Sequence, residues 1–112
     1  MTHEMRLKEK YYNYILNGTK RIEIRLLDEK RQKIKIGDTI IFFKYEDMNE
    51  FFKAKVIDLL KYNSFEELIN AYDIEILADK SMTKDELLKV FNEFYTQEEQ
   101  NKYGIVGIKI EI

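Results

Sequence analysis

The chain of 112 residues contains no cysteine, no tryptophan and no proline, and its only histidine is His3. Without cysteine there is no disulfide framework, thiolate zinc site or cysteine nucleophile. One histidine excludes HExxH and every other multi-histidine metal cluster, and beside the chain terminus His3 is expected to have no role. No signal peptide stands out, nor any apolar run long enough to span a membrane, so the expectation is a cytoplasmic protein with no membrane partner. Chemistry is left to Lys, Arg, Glu, Asp, Thr, Ser and Tyr, with no metal or cofactor expected. The length fits one domain over residues 1–112, able to bury roughly 65% of its unfolded surface around a single core.

The near-neutral net charge of −2 conceals an asymmetry. Residues 1–61 carry 14 Lys/Arg and 10 Asp/Glu, a net +4, whereas residues 62–112 carry 5 and 11, a net −6. Residues 6–35 alone hold 10 basic and 4 acidic residues. Phosphate attraction is local once salt screens beyond about a Debye length, so a polyanion would meet the N-terminal third first. The plainer account of the same residues is a Lys-rich solvated surface.

Residues 3–7 form a candidate first strand. Between Lys8 and Asn17, residues Tyr11, Tyr12, Tyr14, Ile15 and Leu16 include the i,i+3 and i,i+4 pairs of a helix face, and Gly18 follows where a helix commonly ends. Lys20–Leu26 then alternates, with Ile22, Ile24 and Leu26 on one face and Arg21, Glu23 and Arg25 on the other, as in a half-buried strand. Ile36-Gly37-Asp38 signals a turn before a short apolar strand over Thr39–Phe43. A hairpin-like excursion through Glu46–Glu50 leads to a long strand over Phe51–Tyr62, with Phe52, Ala54 and Val56 on one face. Three S/T-x-x-E capping boxes, Ser64/Glu67, Thr83/Glu86 and Thr96/Glu99, mark helix starts in the second half. A final strand runs over Gly104–Ile112, with Val106, Ile108, Ile110 and Ile112 on one face. The order β-α-β-β-β, helices, β predicts a mixed, partly closed sheet.

The segment with chemical content is Gly18-Thr19-Lys20-Arg21-Ile22-Glu23-Ile24-Arg25. Arginine engages phosphate bidentately and lysine supplies a compact charge. Glu23 between two arginines is expected to be ionised, hence a pure acceptor suited to a base amino group. The same spacing also fits a charged outer strand with cross-strand ion pairs. Lys30, Arg31, Lys33 and Lys35 form a basic loop that would extend a phosphate track. Tyr11, Tyr12 and Tyr14 suit either base stacking or helix packing, and one of Phe51 and Phe52 is a candidate exposed anchor.

The run G-T-K-R-I-E-I-R resembles the G-x-K-x-x-E-x-R signature of the ASCH domain family, a branch of the PUA-like superfamily. The likeness extends to the helix before it, to Ile36-Gly37-Asp38-Thr39-Ile40, to Ser64-Phe65-Glu66-Glu67-Leu68 and to Tyr103-Gly104-Ile105-Val106. It implies an α+β fold, a small mixed β-barrel flanked by α-helices, with a cleft at the signature. It also implies RNA binding, or, by likeness to small stand-alone members, hydrolysis of N4-acetylcytidine through a lysine, a threonine and a glutamate. Carried over, the lysine is Lys20 and the threonine position holds Glu23. The glutamate position falls near Lys80, ahead of Met82-Thr83, with Asp79 the nearest acid.

The resulting expectation is an RNA- or nucleotide-binding module with Lys20, Arg21, Glu23 and Arg25 lining the cleft and the 30–35 loop beside it. The alternative is a small hydrolase acting on N4-acetylcytidine or RNA, with Lys20 and Glu23 as the chemical pair. The missing threonine at position 23 places binding ahead of catalysis.

Overall fold

The structure, a computed structural model, describes all residues from Met1 to Ile112. Strand β1 (Thr2–Leu7) is followed by helix α1 (Glu9–Leu16), β2 (Ile22–Leu26), a 3-10 turn at Arg31–Lys33, β3 (Thr39–Lys44) and β4 (Phe51–Tyr62). Four helices come next, α2 (Phe65–Ala71), α3 (Ile74–Leu77), α4 (Lys84–Phe94) and α5 (Gln97–Tyr103), and β5 (Ile105–Glu111) ends the chain. This is the expected element order. The strands form one sheet in the order β1-β3-β4-β5-β2. Only the β1–β3 pair is parallel, so the sheet is mixed, and it curls into a half-barrel of the α+β type. The terminal strand β5 lies between β4 and β2, which leaves β1 and β2 as the edges facing each other across an open seam.

Two apolar clusters hold the layers. Inside the curl, Met5, Phe42, Val56 and Ile108 from four strands pack with Tyr12 and Ile15 of α1. Outside it, Ile22, Ile24 and Leu26 of β2 pack with Phe65 and Leu68 of α2 and Leu87 of α4. Removing a ring as enclosed as Phe65, 0% exposed and stacked on Phe91 at 4.6 Å, should cost about 3–5 kcal/mol.

The alternation of β2 is real, but its reading as a half-buried strand needs correction. Ile22, Glu23 and Ile24 are all buried. Glu23 lies in register with Ile108 and Arg25 with Val106, both members of the inner cluster, so the charged side chains face the barrel side and the isoleucines face the helices. The helical layer covers the isoleucine face, and Glu23 is buried on the opposite face between Lys20 and Arg25. The capping expectations hold in full for Thr83/Glu86 and Thr96/Glu99, whereas Ser64 accepts from the Glu67 amide without a return bond from the Glu67 side chain. Ile112 departs from its expected face and is 66% exposed beyond the end of β5.

Gly107 sits where β5 passes under α2. A Cβ built there would lie 3.0 Å from Ile22 Cγ2 and 3.1 Å from Leu68 Cδ1. Gly107→Val should therefore force the helix off the sheet and destabilise by about 1–3 kcal/mol in urea denaturation; an unchanged midpoint would show the approach to be looser.

His3 also departs from expectation. Its Nε2 lies 2.8 Å from Asp38 Oδ2, and the same carboxylate takes the Lys35 amide at 3.0 Å and the N-terminal ammonium at 3.3 Å. The His3 hydrogen bond, with those from Lys35 and the chain terminus, lowers Asp38 to about 2, from an ordinary value of about 3.9. A depressed carboxylate contributes stability that is complete above its unfolded value and is lost as pH falls through the folded one. Asp38→Asn should thus be less stable than the wild type above about pH 4. The gap should close between there and about pH 2, read by denaturant midpoints at each pH. A gap independent of pH over that window would contradict the assignment.

Candidate functional site

The signature segment begins where α1 ends. Gly18 adopts φ +80°, the left-handed region glycine enters without a Cβ penalty, and the amides of Thr19 and Lys20 both bond back to the Tyr14 carbonyl. This tight exit turns Lys20 inward, where only 4% of it remains exposed. Its Nζ donates to the Ile22 carbonyl at 2.5 Å and the Leu77 carbonyl at 2.7 Å, and lies 3.3 Å from Glu23 Oε1. Three partners match the three protons of an ammonium. Burial pushes the Lys20 pKa down, and the Glu23 carboxylate offsets only part of that.

Glu23 is 6% exposed and carries a cation on each oxygen. Arg25 Nε donates to Oε2 at 2.6 Å, opposite Lys20 on Oε1, and Arg25 Nη2 continues to the Arg6 carbonyl of β1 at 2.9 Å. Burial alone would raise the Glu23 pKa; the charges and hydrogen bonds of Arg25 and Lys20 outweigh it and hold the group below the ordinary glutamate range. The three side chains form a chain from the end of α3 through β2 to β1.

They meet at the floor of a cavity of about 200 Å³ at the seam. Its walls include Tyr11 of α1, Tyr45 beyond β3, and Phe91, Phe94 and Tyr95 at the end of α4. Lys8 Nζ stands 4.9 Å over the Phe94 ring at the rim, and Phe94 is 63% exposed. The cavity is thus aromatic at its sides, with one anion and two cations paired below. Such a floor presents an acceptor and guanidinium donors side by side, the pattern that reads the edge of a planar heterocycle.

The four signature residues do not all gather here. Lys20, Glu23 and Arg25 converge, whereas Arg21 is exposed on another depression beside Gly18 and Lys109, its Nε 3.5 Å from the Gly18 carbonyl. Of the basic loop, Lys30 and Arg31 line a trough of about 430 Å³ that shares Arg6, Arg25 and Tyr45 with the cavity; Lys33 and Lys35 line neither. Asp79 bonds Ser81 in an exposed turn and is not part of the cavity, and Thr19 does not line it. Tyr12 is core, while Tyr11 faces the cavity. Of the candidate anchors, Phe51 is 53% exposed and Phe52 packs on the inner cluster. The α4 wall, with Val90, Phe91 and Phe94 at helical spacing, is a part of the site that no sequence expectation named. No group of three or more His, Asp or Glu side chains is arranged to hold a metal ion.

A curled mixed half-barrel with a helical layer and a polar cluster at its seam defines a PUA-like α+β domain. More narrowly, the chain belongs to the ASCH domain family, whose model matches residues 5–112. It is similar to the crystal structure of hypothetical protein PH0355, with 41% identity over 99% of this chain and 98% of that one and a TM-score of 0.86. It is also similar to the solution NMR structure of protein PF0455 from Pyrococcus furiosus, with 37% identity, coverage of 99% and 96%, and a TM-score of 0.77. No functionally curated protein matches the chain. No helix is long and apolar enough to cross a membrane.

The geometry makes Lys20 a buried peg. Lys20→Met should leave two carbonyls unsatisfied and half of the Glu23 charge unpaired, costing about 3–5 kcal/mol of stability in urea denaturation. A loss under about 1 kcal/mol would mean that water or a rearranged Arg25 replaces the ammonium.

Proposed function

We propose that this ASCH domain, acting as a single unit over its 112 residues, binds single-stranded RNA or a nucleotide, with a base held in the seam cavity. The observation that carries the reading is the ionised Glu23 carboxylate, fixed between Lys20 and Arg25 at the floor of an aromatic-walled cavity. Its volume of about 200 Å³ suits one flat ring system. The rings of Tyr11, Phe91 and Tyr95 offer faces on which any base stacks, with Glu23 and Arg25 reading its polar edge. Family membership agrees with an RNA-binding role in general terms.

Catalysis ranks behind binding for a physical reason. The Lys20 Nζ is held by three acceptors, the Ile22 and Leu77 carbonyls and Glu23, and reaches a substrate only by leaving them. A carboxylate whose pKa is held down is a weak general base at neutral pH. Hydrolysis of N4-acetylcytidine or RNA through Lys20 and Glu23 would require both groups to exchange partners when substrate enters.

Fluorescence anisotropy with a panel of short labelled single-stranded RNAs tests the reading. Binding should weaken steeply as salt rises, and Arg25→Gln should lower affinity by about tenfold, with the fold checked by NMR. Absence of binding across the panel, or binding indifferent to salt, would overturn it. Turnover of N4-acetylcytidine or RNA, abolished by Glu23→Gln, would favour the hydrolase.

A further inference from the structure

Two depressions meet at Arg25, and their chemistry differs. The seam cavity is largely apolar, and the cations on its floor are paired inward, Lys20 with two carbonyls and Glu23, Arg25 with Glu23 and the Arg6 carbonyl, while Lys8 and Arg6 also line it. Lys20, with three acceptors already in place, has no donor to spare for a phosphate. The neighbouring trough is the reverse. It collects Arg6, Arg25, Lys30 and Arg31 against Glu4 as its single acid.

Arg6 and Lys30 are exposed and enter no ion pair. Arg31 is anchored by Asp28 at 2.9 Å through Nη1, while its Nε is buried without a hydrogen-bond partner. On the far side stands the tip of the β3–β4 hairpin, where Phe43, Tyr45 and Met48 line the trough and Phe51 packs on Phe43 with ring centroids 5.7 Å apart. Tyr45, 61% exposed, borders both depressions.

We propose that the ligand is a strand rather than an isolated nucleoside. One base occupies the seam cavity, the adjoining phosphate crosses Arg25 into the trough between Arg6 and Lys30, and the next base lies against the aromatic hairpin tip. This inference rests on the nucleotide-binding reading and adds to it the polymer and the second subsite. It follows from the separation of roles across Arg25. The pocket shaped for a ring is mostly apolar with its floor cations paired, whereas Lys30 and Arg31 lie in the trough alone and Arg6 is shared between the two, beside exposed aromatic side chains on which a base stacks.

The test compares the four ribonucleosides with tetranucleotide RNAs, read by NMR amide shifts and anisotropy on the wild type and on Lys30→Glu. Lys30 is exposed, enters no ion pair and lines the trough but not the seam cavity, so the fold and the base pocket should persist. The wild type should bind a tetranucleotide at least tenfold more tightly than any nucleoside, as expected from adding phosphate contacts and a stacked base. Lys30→Glu should lose about tenfold of tetranucleotide affinity and part of its salt dependence, with nucleoside shifts unchanged. Equal affinity for nucleoside and tetranucleotide, or a Lys30→Glu variant that binds the tetranucleotide like the wild type, overturns the strand proposal and leaves the base-pocket reading standing. A wild type that binds neither overturns both.

Discussion

A half-barrel with two unpaired edges has to close its seam, and here a chain of buried charges does so. Lys20 bonds the last carbonyl of α3 and the first of β2, Glu23 joins Lys20 to Arg25, and Arg25 reaches the backbone of β1. Desolvating three charges is expensive, and it is tolerable only because each buried polar atom finds a partner within the chain. The arrangement is less a reservoir of stability than a device for register. A neutral apolar replacement would fill the space but would not specify which carbonyl of β1 meets which residue of β2.

The same arrangement sets what the site can do. Glu23 is left ionised and immobile at the floor of an aromatic-sided cavity, which makes it a preorganised acceptor and a poor proton acceptor at once. Lys20, the most conspicuous cation of the signature, turns out to be the least available, because its protons are used in holding secondary structure together. In the proposed reading, recognition depends on the cavity edge and on the cations outside it. The basic first third is divided in structure, part of it sealed into the seam and part displayed beside it.

Much of the fold was legible. The periods of Ile22-Ile24-Leu26 and Val106-Ile108-Ile110, the Gly18 helix end and the Thr-x-x-Glu boxes at residues 83 and 96 all act locally, and local patterns survive in sequence. The site was legible only as a list of residue types. Alternation on β2 reports that two faces differ, not that both are covered: the isoleucines lie under the helices of residues 65–103, and Glu23 is buried on the opposite face between Lys20 and Arg25. Partners such as Leu77 for Lys20 and Arg6 for Arg25 are 57 and 19 residues away, beyond any local pattern. Arg21 shares the signature and even the alternation, yet it precedes β2, beside the α1 exit, and lines a different depression. Likewise the i,i+3 and i,i+4 spacing of Leu87, Val90, Phe91 and Phe94 marks one apolar helix face, but only packing shows that part of it walls a cavity while Leu87 fills a core. His3 was dismissed for its place near the terminus, and the parallel pairing of β1 with β3 is what brings it to Asp38.

The central claim is that Glu23 is buried yet ionised because Lys20 and Arg25 hold it so. The most direct measurement is a carbon-13 NMR titration of the Glu23 side-chain carboxyl in the intact protein. The account predicts that the resonance stays at its ionised position through the range where ordinary glutamates protonate, about pH 4.3, and moves only below it. A midpoint at or above the ordinary value would mean that burial wins over the two cations, and the seam would then rest on a neutral carboxylic acid rather than on an ion-pair chain.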